Sequence, residues 1–251
     1  MSTGGCTLIS AVNPGSSYGY LTAKSFTPSD HFTVDGTGCN VALYVGPAAA
    51  GKNLDHATFS GAPTAGDEGG GIEILVEHSS ISIDHTTMTP TTAVATGIFF
   101  TGASGSVDHT TISNMNFEGI IIAGSTVSLD HTTIDNSMPS AGGDGVDMYA
   151  ATTSIAHTSV KSFPNYVSNP PEPADWGYNT GFLFVGAKNL NLSHDSAHDL
   201  GVGFSSFCSQ PVITSVAQFH GQDVGGNTID FNVDNSPSTC AFTSFYTSGP
   251  F

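Results

Sequence analysis

The chain has 251 residues and contains 21 acidic residues, four lysines and no arginine, so its formal net charge is -17 at pH 7. This charge disfavours nucleic acid and anionic membranes as partners, and no apolar run approaches the roughly 20 residues of a membrane span. Hydrophobic residues make up 38% of the chain, which favours one folded domain with a sizeable core over a disordered acidic chain.

The first residues, MSTGGCTLIS, lack the basic and apolar regions of a signal peptide. We expect a secreted or cell-surface protein whose signal is absent from this sequence. The cysteines fall as one pair near each end, Cys6 with Cys39 and Cys208 with Cys240. Three pairings are possible, and we predict the two end-local disulfides because they would hold the ends of an elongated fold.

An Asp-His motif recurs along the chain. Copies resembling VDHTTI begin at Leu54, Ile83, Val107, Leu129 and Ile155, so successive copies start 22 to 29 residues apart. A degenerate copy, LSHDSA, begins at Leu192. Each copy predicts a short strand, a corner and a second short strand, with Val107 and Ile112 facing inward around Asp108 to Thr111.

A second motif alternates with the first. Segments that open with glycine and continue with alternating apolar residues begin at Gly71, Gly97, Gly119, Gly145, Gly181 and Gly201. A coil of this length with recurring β-branched positions predicts an all-β, single-stranded right-handed parallel β-helix of roughly eight rungs. We expect a single domain over 1–251, with an N-terminal cap region in 1–40, regular rungs in 41–206 and a C-terminal rung and cap in 207–251.

The rungs resemble those of the pectate-lyase-like (pectin-lyase fold) superfamily of right-handed parallel β-helices. VDHTTIS, from Val107 to Ser113, is similar to the apolar-polar-Asn-Asn-Thr-apolar-Ser rung of that group, and IDHTT at Ile83 is similar to an Ile-Asp-His-Cys segment of pectate lyases. The resemblance covers approximately residues 40–206. It implies the β-helix fold and, as an expectation, activity on a polysaccharide.

The repeated Asp-His pair is interpreted as part of the fold. Asp stabilises turns through nearby backbone N–H groups, and the histidines would stack one rung apart as a ladder: His85, His109, His131 and His157. A metal site would need the imidazoles to converge at about 2.0–2.1 Å from one ion, whereas parallel stacking holds them side by side. We therefore favour a structural ladder over a metal site.

The outer face of the glycine-led strands is predicted to be unusually apolar. When the strand glycines are aligned, the alternation of side chains along each strand places one set of residues on the outer face. The set comprises Leu75, Phe99, Ile121, Tyr149, Leu183 and Val185, together with the acids Glu73 and Asp147. Loops, a partner subunit or a sugar-bearing ligand could cover such a strip. The long insertions precede Gly71, Gly145 and Gly181, which places them at one edge of these strands and marks a candidate binding face.

Acidic residues interrupt this face. Glu118 and Asp144 precede the strand glycine on successive rungs, and Asp147 follows in the same strand, so we predict these three as catalytic residues. Carboxylates about 5 Å apart suit a retaining glycosidase, and their proximity raises the pKa of one member. The same oxygens could bind calcium. A separate calcium site is predicted from Asp67, Glu68 and Glu73, as a possible cofactor site rather than a required one.

The motif GGDGVD, from Gly142 to Asp147, resembles part of the Asn-Thr-Asp-Gly segment of polygalacturonases. Lyases of the superfamily commonly use Arg or Lys as the base, and the lack of arginine favours hydrolase-like chemistry. Residues that could contact sugar are predicted on this face and its insertions: Phe99, Tyr149, Tyr166, Trp176, Tyr178 and Lys188.

Two hypotheses stay open. The chain is either a secreted carbohydrate-active protein that degrades a polysaccharide as an acidic-pair hydrolase or calcium-assisted lyase, or a non-catalytic adhesin, surface or filament-forming protein. The second would use the outer apolar strip for self-association. The first rests on the Glu118, Asp144 and Asp147 carboxylates, and the second on that strip and the incomplete catalytic motifs.

Overall fold

The computed structural model describes residues 7–10, 17–22, 32–37, 39–47, 50–61, 63, 71–90, 94–135, 144–161, 179–219 and 221–241. These residues form a parallel β-solenoid built from three sheets. Every strand pairing in it is parallel apart from one antiparallel pair at the N-terminal end.

The first sheet has ten strands: β1 (Thr7–Ser10), β2 (Ser17–Thr22), β4 (Val41–Val45), β7 (Ile72–Glu77), β10 (Val94–Thr101), β13 (Met115–Ala123), β16 (Asp144–Tyr149), β19 (Thr180–Val185), β22 (Val202–Phe207) and β24 (Ile229–Asp234). The second has six: β5 (Lys52–Asp55), β8 (Ser80–Asp84), β11 (Ser104–Asp108), β14 (Thr126–Asp130), β17 (Thr152–Ala156) and β20 (Asn189–Ser193). The third has eight: β3 (Phe32–Val34), β6 (Ala57–Phe59), β9 (Thr87–Met88), β12 (Thr111–Ser113), β15 (Thr133–Asp135), β18 (Ser159–Lys161), β21 (Ser196–His198) and β23 (Asp223–Gly225).

The predicted number of rungs was too high. A complete turn needs one strand from each sheet, and the second sheet has only six strands among the described residues, so the solenoid has about six turns rather than eight. The β-helix class itself is confirmed.

The core fills the centre of the coil with apolar side chains stacked from rung to rung. Ile98, Ile120 and Val146 lie in register on neighbouring strands and are fully buried. The predicted inward residues Val107 and Ile112 are also fully buried. Such ladders repeat the same burial at each turn, so each rung is stabilised mainly by its neighbours.

Each rung turns two corners at which one residue has a positive φ. The first corner follows a strand of the first sheet and carries His78, Gly102, Gly124, Ala150, Gly186 and Cys208. The second corner joins the second sheet to the third and carries His56, His85, His109, His131, His157 and His194. At both corners the backbone N–H of the positive-φ residue donates to a carbonyl of the next rung, as from Gly102 to Ala123 and from His109 to Asp130.

The C-terminal end is cross-linked by a disulfide between Cys208 and Cys240, with 5.3 Å between the two Cα atoms. This confirms one predicted pairing. Cys39 is also disulfide-bonded, while Cys6 lies outside the described residues. No helix within the described ranges is long and apolar enough to cross a membrane.

Candidate functional site

The Asp-His motifs form the predicted ladder, and it is longer than the four predicted rings. Neighbouring imidazoles from His56 to His157 stack with centroids 4.6–4.8 Å apart, and His194 follows at 5.4 Å. This spacing is that of stacked β-strands. A buried Thr follows four of these six histidines and donates its hydroxyl to the carbonyl of the residue before that His, as Thr110 does to Asp108.

The three predicted catalytic acids come together on the outer face of the first sheet. Glu118 on β13 pairs in register with Asp144 on β16, which places their backbones about one strand spacing, roughly 4.8 Å, apart. Asp147 lies further along β16 and contacts the Asp144 carboxyl. Glu118 is partly exposed, whereas Asp144 and Asp147 are 5% and 2% exposed. We call these three residues the carboxylate cluster.

Hydrogen bonds hold each member of the cluster in place. The Thr96 hydroxyl donates to Glu118 Oε2 at 3.0 Å, and the Thr180 N–H donates to Asp144 Oδ1 at 2.7 Å. The Tyr149 hydroxyl donates to Asp147 Oδ2 at 3.1 Å. Two of these donors lie on the strands that flank β13 and β16, so the cluster is positioned by the stacking of four rungs.

The electrostatics of the cluster favour protonated carboxyls. Burial raises the pKa of Glu118 to about 7, although the Thr96 hydrogen bond lowers it. Burial also raises the pKa of Asp144, with the Thr180 N–H opposing and the Glu118 charge adding to the rise. Burial and the charges of Asp144 and Glu118 raise the pKa of Asp147. Asp147 Oδ1 accepts no hydrogen bond among the described residues, which suits a protonated Asp147 that donates to Asp144.

The predicted register of Glu73 was wrong. Because Ile72 pairs with Thr96 and Ile74 with Ile98, Glu73 lies in register with Gly97 rather than with Phe99. Glu73 is fully buried, its two oxygens have no hydrogen-bond partner among the described residues, and burial followed by the charge of Asp35 raises its pKa to about 8. The alignment failed by two residues because Gly71 was taken as the equivalent of Gly97.

The predicted calcium site is only partly described. Asp67 and Glu68 lie outside the described residues, and Glu73 is a desolvated carboxyl that favours a proton at neutral pH. Calcium binding there stays a prediction. The described His and Asp residues that could hold a metal belong instead to the Asp-His ladder, where four groups of one Asp and two His have ligand atoms within 4.8 Å of one another.

The predicted sugar-contacting residues are not all in one place. Tyr149 contacts the carboxylate cluster, and Phe99 is partly exposed on the same sheet face, in register with Leu75 and Ile121. Lys188 is exposed at the edge of the second sheet, where it lines a cavity of about 690 Å³ with Ser128, Asn189 and other polar residues. Tyr166, Trp176 and Tyr178 lie outside the described residues.

The predicted outer apolar strip is divided into two parts. Leu183, Val185 and Phe207 are buried and form a cluster separate from the main core, with Tyr149 packed against it. Leu75, Phe99 and Ile121, nearer the N-terminal end, are partly exposed. The acids therefore lie where the covered part of this face meets the accessible part.

Sequence reasoning missed the residues that hold the cluster. Thr96 and Thr180 occupy the register positions of Glu118 and Asp144 on the adjacent strands, a relation that only a correct rung alignment reveals. It also missed Asp195, a buried residue that accepts N–H groups from Thr158 and Ser193 and whose pKa is raised to about 6, first by burial. The signal was present in LSHDSA, where Asp195 stands at the position of Thr86, Thr110, Thr132 and Thr158 in other copies.

Comparison with known proteins identifies no relative: no protein-family model, curated protein or solved structure matches the chain. The class of protein is therefore defined by its architecture alone, a parallel β-solenoid of about six turns with a C-terminal disulfide.

Proposed function

We propose that this chain is a secreted carbohydrate-active β-helix protein of the pectate-lyase-like kind, and that it hydrolyses a glycan at the carboxylate cluster. The observation that carries the proposal is the adjacency of Glu118 and Asp144 on neighbouring strands, with raised pKa values. Groups with pKa values shifted by burial and by each other's charge are typical of acid-base sites. The disulfide fits an oxidising, extracellular compartment.

The roles follow from exposure and hydrogen bonding. Glu118 is the accessible member and has a pKa of about 7, so it is protonated in mildly acidic solution and serves as the general acid that protonates the leaving oxygen. Burial raises the pKa of Asp144, and the Thr180 N–H and the hydrogen bond from Asp147 oppose that rise. In the proposal, these two donors hold Asp144 as the second carboxylate that attacks or stabilises the anomeric carbon. Their backbones lie one strand spacing apart, and the scheme requires the carboxyl groups to lie roughly 5 Å apart, as in retaining enzymes.

Asp147 and Tyr149 act as positioning residues in this scheme. Asp147 shares a proton with Asp144, and Tyr149 orients Asp147 through the hydroxyl contact at 3.1 Å. The partly exposed ring of Phe99 lies on the same face and offers an apolar surface on which a sugar ring can stack.

The test is a screen of neutral and acidic polysaccharides for new reducing ends and for unsaturated uronates, with and without calcium. We expect reducing ends without unsaturation, activity that falls as the pH rises through about 7 because Glu118 loses its proton, and a loss of about 100-fold or more in Glu118→Gln and Asp144→Asn. Asp108→Asn, at an exposed corner, is the matched control and keeps activity. Cleavage of no substrate, or full activity in both variants, would overturn the proposal.

A second candidate, a non-catalytic protein that self-associates, is favoured by the partly exposed Leu75, Phe99 and Ile121 beside the buried outer cluster. Light scattering at high protein concentration separates the two. Assembly that is lost in Phe99→Ser, in a protein that cleaves no glycan, would support it, and a monomer at all concentrations would reject it.

A further inference from the structure

The outer face of the second sheet carries two rows of small polar side chains. The first position of each strand contributes one row, which includes Ser104, Thr126, Thr152 and Asn189. The position two residues further on contributes the other, which includes Ser106, Ser128, Ser154 and Asn191. Neighbours in a row stand in register on adjacent strands, about 4.8 Å apart. The rows therefore run along the solenoid axis, on a different sheet from the carboxylate cluster.

The two ends of these rows differ in their hydrogen bonding. Toward the N-terminal end the hydroxyls have partners: those of Ser82 and Ser106 lie 2.9 Å apart, and that of Ser80 accepts the Gly51 N–H at 2.9 Å. Toward the C-terminal end, six side chains on β14, β17 and β20 make no hydrogen bond with another described residue: Thr126, Ser128, Thr152, Ser154, Asn189 and Asn191. Their donors and acceptors are available to a ligand.

The cavity of about 690 Å³ lies over these six side chains. Its volume falls within the roughly 300–1,000 Å³ of small-molecule sites. Pro211 and Val212 also line it, and Val212 packs against the main core. Lys188 lines it too, whereas no described acidic residue does, although the chain has 21 acids and four lysines. The cavity thus combines neutral hydrogen-bonding groups with an apolar wall.

We propose that this cavity binds an uncharged sugar chain. A sugar ring carries hydroxyls around its edge and apolar C–H groups on its faces. The hydroxyls fit the Ser and Thr side chains and the amides of Asn189 and Asn191, each of which both donates and accepts. The C–H groups can pack on Pro211 and Val212, which removes apolar surface from water. A net charge of -17 disfavours a polyanionic chain.

The repetition of the rows sets the direction of the ligand. A sugar chain that lies along the solenoid axis meets an equivalent pair of polar side chains on β14, on β17 and on β20. A single sugar meets only part of this surface. Oligosaccharides should therefore bind more tightly than the corresponding monosaccharide. This site is additional to hydrolysis at the carboxylate cluster and does not depend on it.

The test is an NMR titration of the ¹⁵N-labelled protein with cellohexaose, xylohexaose and maltohexaose, compared with hexagalacturonate and with glucose. We expect at least one neutral hexasaccharide to shift the amide signals of Ser128, Ser154 and Asn191, and to shift them equally in the Asp144→Asn protein. The double variant Asn189→Ala/Asn191→Ala should bind about tenfold more weakly. Asn53→Ala is the matched control and keeps the affinity, because Asn53 is an exposed residue of the same row at its other end.

Three results would refute the proposal: no binding of any neutral hexasaccharide, tighter binding of hexagalacturonate, or shifts confined to β13 and β16 around the carboxylate cluster. Equal affinity of the wild type and the double variant would also refute it. Should the double variant fail to fold, the shifts in the wild type decide. None of these results bears on hydrolysis, which is measured separately by new reducing ends and by the loss of activity in Asp144→Asn.

Discussion

Acidic residues in this solenoid occupy two contrasting environments. At the second corner, the Asp130 side chain is 47% exposed. Burial is the largest single influence and raises its pKa, but the hydrogen bond from His157, the charges of His131 and His157 and the His131 N–H together outweigh it and lower the pKa. On the outer face of the first sheet, burial is the main cause that raises the pKa of Asp144 and Asp147. One residue type thus favours the ionised form at the corner and the protonated form on the face.

The contrast shows that position within a rung, rather than residue type, sets the chemistry. At the corner, Asp130 Oδ1 lies 2.8 Å from Nδ1 of His131 and 3.2 Å from Nδ1 of His157, and these contacts favour its ionised form. A sheet face whose side chains are buried removes water, and adjacent carboxylates then compete for protons. The acid-base chemistry that we propose therefore belongs to the face.

The largest expected effect concerns Glu73, a buried acid whose pKa is raised to about 8. Its pKa in the folded state lies above the ordinary value of 4.5. The cost to folding stability of burying an ionised Glu73 is therefore absent below about pH 4.5 and grows as the pH rises toward 8. Glu73→Gln should stabilise the protein at pH 8 by about 3–5 kcal/mol, and raise Tm by roughly 10 °C. Thermal unfolding at pH 4 and pH 8 measures this difference.

At pH 4 the variant and the wild type should differ by less than about 1 kcal/mol, since Glu73 is then protonated in both states. Asp223→Asn is the control, because that side chain is 76% exposed and its replacement should change stability by less than about 1 kcal/mol at either pH. An equal gain at pH 4 and pH 8 would show that burial of the charge is not the cause.

A smaller effect tests whether the positive-φ positions at the two corners make the same demand on the backbone. His109→Asn at the second corner should cost about 1 kcal/mol or less, since Asn tolerates a positive φ. Gly124→His at the first corner should cost about 1–2 kcal/mol, because a positive φ strains a residue with a Cβ even though no atom lies within 4 Å of it. His109→Val should cost about 2 kcal/mol or more, because a β-branched residue resists that conformation. Denaturant unfolding ranks the three; a cost for His109→Asn as large as for His109→Val would mean that the ring is required for folding.

The repeat made the fold predictable, because in-frame copies of a strand-corner-strand motif can stack in few ways. It also located Glu118 and Asp144 correctly on neighbouring strands, since both precede the strand glycine. The alignment of Gly71 with Gly97 was wrong because glycine occupies two different structural positions in these rungs. Gly97 and Gly119 face the core, where an added Cβ would strike Ile112 and Ile134, and Glu73 occupies that position in the earlier rung.

Burial of the acids was not predictable from the pattern. The alternation of side chains along the strand assigned Asp147 to the outer face. A side chain on that face is expected to meet solvent, yet that of Asp147 is only 2% exposed. The contacts between Asp oxygens and imidazole nitrogens were equally hidden, since spacing places the residues on one corner but does not give the side-chain torsions that bring Oδ1 within 2.8 Å of Nδ1. These details depend on packing in three dimensions.

The most direct test of the contrast between corner and face is a site-resolved titration of the Asp and Glu carboxyls by carbon NMR from pH 3 to pH 9. We predict that Glu118 titrates near pH 7 and Glu73 near pH 8, that Asp144 and Asp147 also titrate above their ordinary range, and that Asp130 titrates below it. Ordinary values at both places would contradict the account, because the acids of the face would then be as hydrated as those of the corner.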